Sequence, residues 1–179
     1  MTQAPSSKGR RLLVAGVGAA AAIAGAGLAW WRFGVDDGQA GAADALWKLS
    51  FNTPTGGRLD MSALKGRPLL VNFWATWCPP CVEELPLLDA FSREQAAKKW
   101  QVVGLAIDQP SAVRTFLSRT PVSFPVGLAG LEGTELGKAL GNRSGGLPFT
   151  VVFGADATVQ HRRMGRVTPA DLAQWSGLS

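Results

Sequence analysis

The chain has 179 residues and a mass of 18.8 kDa, which is enough for one domain with accessory segments. Apolar residues make up 46% of it and charged residues 17%, so a wholly disordered chain is excluded. Two cysteines and one histidine also exclude a disulfide-built scaffold and most histidine-dependent metal sites. The net charge of +5 comes mostly from residues 1–34, and the near-neutral remainder argues against nucleic-acid binding.

An uncharged run over residues 12–31 follows a basic tail, residues 1–11. A helix of this length would cross roughly 30 Å, the thickness of a hydrocarbon core. The basic tail predicts a cytoplasmic N-terminus, with the rest of the chain facing outward into a periplasm. A signal peptide cleaved after the small residues at 24–26 or 40–42 is the alternative. Residues 32–45 are rich in Gly, Ala and Asp and predict a flexible linker.

Strand and helix patterns alternate through the globular part, residues 46–178. The sequence predicts strands over 47–51, 68–75, 102–107, 122–126, 149–153 and 158–164, and helices over 60–64, 79–99, 110–118, 134–140 and from Thr168 onward. The order is a β-hairpin, a βαβα unit, an insert and a ββα unit. This order predicts a mixed sheet covered by helices.

A Cys-x-x-Cys pair, Cys78 and Cys81, lies where a buried strand meets a helix. The spacing brings the two sulfurs within bonding distance over one helical turn. At the helix N-terminus, the dipole and the free N–H groups favour the thiolate of Cys78, which is the attacking species in disulfide exchange. We therefore expect an exposed Cys78 sulfur that attacks, and a more buried Cys81 that resolves the mixed disulfide.

Two prolines, Pro79 and Pro80, separate the cysteines and remove two N–H donors from the first helical turn. The N–H of Cys81 is then the nearest donor left for the Cys78 thiolate. This predicts a moderately stabilised thiolate, and hence a pair nearer the reducing end than a strong oxidant.

A structural disulfide and a zinc half-site are the alternatives for the two cysteines. Zinc takes four ligands, and the chain offers two cysteines and the distant His161, which we expect to be a solvated residue on a sheet edge or face. A Cys-x-x-Cys bridge also closes too small a loop to stabilise a fold by much. The motif therefore favours a redox function.

The segment Val71-Asn72-Phe73-Trp74-Ala75-Thr76-Trp77-Cys78-Pro79-Pro80-Cys81 resembles the active-site segment of thioredoxin-fold proteins. It is most similar to the membrane-anchored periplasmic TlpA/ResA-like family of thiol–disulfide oxidoreductases, and the resemblance covers about residues 46–178. It implies an α/β fold, a thioredoxin-like three-layer sandwich whose mixed central sheet has an N-terminal β-hairpin. The segment 121–140 resembles the short insert of this family. One transmembrane helix is predicted to precede the domain.

Further positions fit the resemblance. Pro86 matches the proline that kinks the active-site helix of this fold, and Pro148 matches its cis-proline. The resemblance implies that Pro148 lies beside the disulfide and leaves the backbone of Leu147 free to pair with an extended substrate. Trp77 is expected at the rim of the site. The resulting substrate-binding residues are Trp77, Pro79, Pro80, Leu147 and Pro148.

One position departs from the thioredoxin pattern. Thioredoxin has a buried aspartate where this chain has Asn72, which cannot accept the proton of Cys81. Glu84 is the candidate in its place, because it lies three residues after Cys81 on the same helical face, whereas Glu83 points elsewhere. A solvated glutamate on the helix surface is the alternative for Glu84.

The resemblance implies an enzyme that exchanges a Cys78–Cys81 dithiol or disulfide with periplasmic protein clients. A reductant of the cytochrome c maturation or copper-site assembly type is favoured, supplied with electrons by a membrane donor of the DsbD/CcdA type. We expect a monomer in the inner membrane, or in the periplasm after cleavage, without a metal, nucleotide or flavin cofactor. The alternatives are a disulfide-introducing oxidant and a non-catalytic binding module with a structural disulfide.

Overall fold

Strands and helices alternate through residues 37–177, the part of the chain that the computed structural model describes. The strands are β1 (Ser50–Asn52), β2 (Arg58–Asp60), β3 (Leu69–Trp74), β4 (Gln101–Ala106), β5 (Val126–Leu128), β6 (Phe149–Phe153) and β7 (Val159–Met164). The α-helices are α1 (Asp37–Leu46), α2 (Pro79–Glu94), α3 (Pro110–Arg119), α4 (Glu132–Ala139) and α5 (Pro169–Trp175). Short 3-10 turns cover Met61–Leu64 and Ala96–Lys98.

The seven strands form one mixed sheet in the order β2-β1-β5-β4-β3-β6-β7. The central strand β3 runs parallel to β4 and antiparallel to β6. All six of its residues are buried, and they alternate between two apolar clusters, with Leu70 and Trp74 in one and Val71 and Phe73 in the other. A sheet that is covered on both faces accounts for the near-continuous apolar sequence of this strand. The prediction of a thioredoxin-like α/β fold with a mixed sheet is confirmed.

Helix α1 corrects the predicted linker. Residues 37–46 are helical, and Ala42, Ala43 and Leu46 are buried against the sheet. The adjoining Trp47 packs on Phe153 with ring centroids 5.1 Å apart. Alanine favours helix, and the small apolar side chains on one face of α1 pack closely on the core. The predicted flexible linker is therefore wrong from residue 37 onward.

The predicted basic tail, the transmembrane run and the start of the linker lie outside the described residues. No helix within residues 37–177 combines the length and the apolar character that a membrane span requires.

Two predicted boundaries move because of local contacts. Helix α2 ends at Glu94, and Lys99 adopts a left-handed conformation that closes the following 3-10 turn. The strand predicted over 122–126 begins only at Val126, because the Ser123 N–H donates to the Asp89 carboxylate on α2 at 2.6 Å. The Thr168 cap of α5 is confirmed, as a capping box with Asp171.

Candidate active site

A disulfide joins Cys78 and Cys81 at the start of helix α2. Strand β3 ends at Trp74, and Cys78 is the N-cap residue of the helix. The two prolines occupy the first two helical positions, where a missing N–H costs no helical hydrogen bond. The predicted junction of strand, cysteine pair and helix is confirmed.

The predicted exposure of Cys78 is wrong. Its residue surface is only 5% exposed, and that of Cys81 is 0% exposed. Cys78 lies in the apolar cluster that includes Ala75 and Cys81, and Leu147 packs against this cluster. The predicted ranking, with Cys81 the more buried, agrees with these values. The exposed residue of the motif is Trp77, at 66%.

The first turn of α2 has few backbone donors to offer a Cys78 thiolate. Pro79 and Pro80 have no N–H group. The N–H groups of Cys81 and Val82 both donate to the Cys78 carbonyl oxygen at 3.1 Å. The Cys81 N–H, predicted as the nearest donor to the sulfur, is thus already bonded within the helix.

Leu147, in the loop before β6, packs against the apolar cluster that contains Cys78 and Cys81. The Leu147–Pro148 peptide bond is cis, as the resemblance implied. Pro148 is buried and Leu147 is half-buried. The Gly165 N–H donates to the Pro148 oxygen at 2.9 Å, and Asn142 Nδ2 donates to the Gly146 oxygen at 2.8 Å. Within residues 37–177 no group is hydrogen-bonded to the main chain of Leu147, so its N–H and C=O remain available.

Glu84 lies beneath this region as a buried carboxylate and not as a solvated one. It is 1% exposed, so the alternative of a surface glutamate is wrong. Asn72 Nδ2 donates to Glu84 Oε1 at 2.7 Å, and the Val167 N–H donates to Oε2 at 2.7 Å. Burial raises the pKa of Glu84, and these hydrogen bonds together with the charge of Arg166 only partly offset that effect.

The side chain of Glu83 points elsewhere than that of Glu84, as its spacing predicted. Its side chain is exposed and pairs with Arg166, with Glu83 Oε2 and Arg166 Nη1 2.5 Å apart. Glu83 therefore neutralises part of the field that Arg166 exerts on Glu84.

Asp108 is a site residue that the sequence analysis missed. Its Oδ2 accepts hydrogen bonds from the Thr76 N–H at 2.9 Å and from Thr76 Oγ1 at 2.5 Å. These bonds fix the segment that leads to Trp77 and Cys78. Asp108 follows β4, the parallel neighbour of β3, and carboxyl ends of adjacent parallel strands meet at one sheet edge. This position after β4 is the sequence signal that could have identified Asp108.

A groove with a volume of about 490 Å³ adjoins the cysteine motif. Trp77 and Leu147 line it, together with Leu131, which begins the segment leading into α4. Leu131 is 84% exposed, so the groove has an apolar rim that is open to solvent. Pro79 is exposed and Pro80 half-buried at the neighbouring surface of α2. Of the predicted substrate-binding residues, Trp77 and Leu147 line the groove, whereas Pro148 is buried.

His161 is not among the residues that line the groove. It lies on β7, half-buried, and stacks on Trp175 with ring centroids 6.1 Å apart. Strand β7 is at the edge of the sheet, so the expectation of a histidine on a sheet edge is confirmed, although its ring is only partly exposed.

The sheet order, the disulfide at a helix N-terminus and the cis-proline in the loop before β6 define a thioredoxin-fold protein with a Cys-x-x-Cys pair. The model of the Redoxin family matches residues 42–174, and the chain belongs to this family.

Known proteins of this kind are similar to the chain. The thiol-disulfide oxidoreductase ResA of Bacillus cereus is 30% identical over 119 residues, which cover 65% of this chain and 66% of ResA, just under two thirds. A thiol:disulfide interchange protein of the thioredoxin family from Chlorobium tepidum TLS has 29% identity and a TM-score of 0.63, covering 72% of this chain and 90% of its own. A thioredoxin-related protein from Neisseria meningitidis serogroup B has 31% identity and a TM-score of 0.63, covering 73% and 97%.

Proposed function

We propose that the chain exchanges disulfides with protein clients through Cys78 and Cys81, and that it acts mainly as a reductant. The observation that carries this proposal is the disulfide at the start of α2 beside an unbonded Leu147 main chain. A client segment that pairs with Leu147 in extended form would present its own sulfur to Cys78.

In the reducing direction, the Cys78 thiolate attacks one sulfur of the client disulfide. A mixed disulfide forms, and the second client sulfur leaves as a thiolate. The Cys81 thiolate then attacks the Cys78 sulfur and releases the client sulfur. The client disulfide has gained two electrons, and Cys78 and Cys81 have become a disulfide.

The buried position of Cys81 makes proton transfer a separate requirement of this sequence. Cys81 must lose its thiol proton before it attacks, and its surface is 0% exposed. Glu84 lies one turn further along α2, and burial raises its pKa, which makes it a better proton acceptor than an ordinary carboxylate. We assign Glu84 this role.

The reducing direction is supported by the donors around Cys78. A strong oxidant needs a reduced form with a well-stabilised thiolate. Here Pro79 and Pro80 supply no N–H, and the next two N–H groups bond the Cys78 carbonyl. We expect a reduction potential of about −250 mV or lower, whereas a value of about −120 mV would support the disulfide-introducing alternative.

The groove beside Trp77 suits an apolar side chain of the client next to its cysteine. The apolar contacts come from Trp77, Leu131 and Leu147. The neighbouring surface of α2 carries Pro79 and Pro80. The proposed clients are proteins of the cytochrome c maturation or copper-site assembly type.

The proposed setting is the outer face of the inner membrane. The uncharged run over 12–31 would anchor the chain, or direct its export before cleavage, with the domain in the periplasm. A membrane donor of the DsbD/CcdA type would then return electrons to the Cys78–Cys81 disulfide. The domain would act as a monomer.

Single cysteine variants of the full-length chain test the proposal. Cys81→Ser should accumulate a stable mixed disulfide with a disulfide-containing peptide, because the resolving sulfur is missing. Cys78→Ser should form none and should lose the reduction of the peptide. If Cys78→Ser kept full activity, the exchange function would be refuted and the binding-module alternative would be favoured.

A further inference from the structure

Asn72 has a hydrogen-bonding atom without a partner in a fully buried setting. The residue is 0% exposed on the central strand β3. Its Nδ2 donates to Glu84 Oε1 at 2.7 Å and to Thr150 Oγ1 at 3.0 Å. Its Oδ1 is buried and has no partner among the described residues. An unpaired buried carbonyl oxygen is costly, so its presence next to a carboxylate calls for an explanation.

The two oxygens of Glu84 are not equivalent toward a proton. Oε2 accepts from the Val167 N–H, a backbone group that can only donate. A protonated carboxyl oxygen is a poorer acceptor, so a proton on Oε2 would weaken that bond. A proton taken up by Glu84 is consequently directed to Oε1, the oxygen that faces Asn72.

The Asn72 amide has one orientation for each protonation state of Oε1. Toward the carboxylate, Nδ2 donates, as observed. Toward a protonated Oε1, a half-turn of the amide places Oδ1 as the acceptor. The Thr150 hydroxyl both donates and accepts, so it keeps its bond to Asn72 in either orientation. One amide atom is unpaired in both, which leaves the protonation of Glu84 to decide between them.

We propose that Asn72 is a positioning residue whose side-chain amide turns over as Glu84 takes up and releases the proton of Cys81. This inference rests on the proposed function of Glu84. In the resolving step, the proton leaves Cys81 Sγ for Glu84 Oε1, the Cys81 thiolate bonds to Cys78, and the client thiolate departs. The turning amide keeps a hydrogen bond to Glu84 before and after the transfer.

The charged and titratable groups around Glu84 are compatible with the positioning role of Asn72. On α2 they are Cys81 and Glu83, and across from the helix Arg166 pairs with Glu83. Strands β3 and β6 contribute the uncharged Asn72 and Thr150. An aspartate at position 72 would add a second carboxylate to this buried site, where like charges disfavour ionisation.

Nuclear magnetic resonance of the reduced full-length chain, labelled with ¹⁵N in the asparagine side chains, tests the inference directly. The sequence contains only Asn52, Asn72 and Asn142, so three side-chain amide signals are expected. The Asn72 signal should move with pH as Glu84 titrates. Asn142, which is also buried and bonded to Gly146, is the matched control and should stay still.

Glu84→Gln provides the second arm. A glutamine keeps Oε1 for the Val167 N–H and turns its NH₂ toward Asn72, so it imitates the protonated acid. The Asn72 signal in this variant should match the low-pH limit of the wild type and should not change with pH. An Asn72 signal that stays constant in the wild type while Glu84→Gln alters the pH profile of client release would overturn the inference.

A kinetic arm separates positioning from folding. Asn72→Leu removes the hydrogen bond to Glu84 in both protonation states. The bond to the charged carboxylate is the stronger one, so the inflection in the pH profile of client release should move to higher pH. In the Glu84→Gln background, Asn72→Leu should add no shift. If Glu84→Gln itself left the profile unchanged, the proposed role of Glu84 would fail first, while the exchange reaction of Cys78 would be unaffected.

Discussion

Two buried carboxylates on helix α2, Glu84 and Asp89, have opposite surroundings. Their residue surfaces are 1% and 8% exposed. Glu84 receives its hydrogen bonds from two neutral donors, the Asn72 amide and the Val167 N–H. Burial therefore dominates, and the pKa of Glu84 lies above its ordinary value.

Asp89 is held as an anion. Burial alone would raise its pKa, but the backbone N–H and hydroxyl of Ser123 both donate to Oδ1, at 2.6 Å each. Arg93, four residues further along α2, pairs with Oδ2. These contacts outweigh burial and hold the pKa of Asp89 below its ordinary value.

The difference shows that burial does not by itself assign a role to a carboxylate. Asp89 uses its charge to fix the segment before β5 to helix α2. Glu84 has no such charged partner in direct contact and can exchange a proton at a pH nearer neutral. One carboxylate is a structural anion, and the other is suited to proton transfer.

The sharpest test of this contrast compares Glu84→Gln with Asp89→Asn. Glu84→Gln should slow client release by roughly tenfold to hundredfold near neutral pH, because Cys81 loses its proton acceptor. Asp89→Asn should leave the rate unchanged. Rapid-mixing kinetics of the mixed disulfide measures both. An equal slowing in the two variants would show that the rate reflects the integrity of α2 and not proton transfer.

The second test measures stability instead of rate. Asp89→Ala should lower the free energy of unfolding by about 2 kcal/mol, because it leaves the Ser123 N–H without its charged acceptor. Urea unfolding of the full-length chain measures this. Glu94→Ala, which removes an exposed acid from the same helix, is the control and should change stability by less than about 0.5 kcal/mol. Equal losses would contradict the structural role of Asp89.

Sequence reasoning found the parts of the site that depend on local spacing. The Cys78–Cys81 pair follows from its position between a buried strand and a helix, and the side of the helix that Glu84 occupies follows from its separation of three residues from Cys81. The prediction that Cys78 is exposed was wrong, because the residue lies in an apolar cluster whose other members come from distant parts of the sequence.

Long-range polar contacts could not be predicted from the sequence. Asp89 meets Ser123 across 34 residues, and the Val167 N–H reaches Glu84 across 83. No pattern of period 2 or 3.6 encodes these pairs. The fold class was predictable because it depends on such periodicity, whereas helix α1 was missed because its Gly and Ala content resembles that of a linker.

The third test uses pH, because the two carboxylates predict opposite slopes of stability. The pKa of Asp89 is lowered from 3.8, so its stabilisation is present above that pH and is lost as the pH falls through its folded pKa. The pKa of Glu84 is raised from 4.5, so its contribution is full below pH 4.5 and is lost as the pH rises through its folded pKa. The measurement is the free energy of unfolding as a function of pH. Its fall at acid pH should disappear in Asp89→Asn, and its fall at higher pH should disappear in Glu84→Gln. Slopes of the same sign would contradict the comparison.

The smallest expected effect concerns the two arginines that accompany these acids. Arg166 and Glu83 are both more than half exposed, so Arg166→Gln should change the free energy of unfolding by less than about 0.5 kcal/mol. Its electrostatic effect on Glu84 is nevertheless directional. Arg166 favours the charged carboxylate, so its removal should move the inflection of client release to higher pH.

Arg93→Gln is the matched variant, since Arg93 favours the charged form of Asp89 as Arg166 favours that of Glu84. In this variant the loss of stability at acid pH should begin at a higher pH, because Arg93 helps to hold the pKa of Asp89 down. The inflection in the pH profile of client release should stay in place. Titrations of both variants at low salt measure the two shifts, since screening weakens exposed pairs. If Arg93→Gln moved the kinetic inflection as Arg166→Gln does, the two carboxylates would form one coupled system, and the separation of a structural anion from a proton acceptor would not hold.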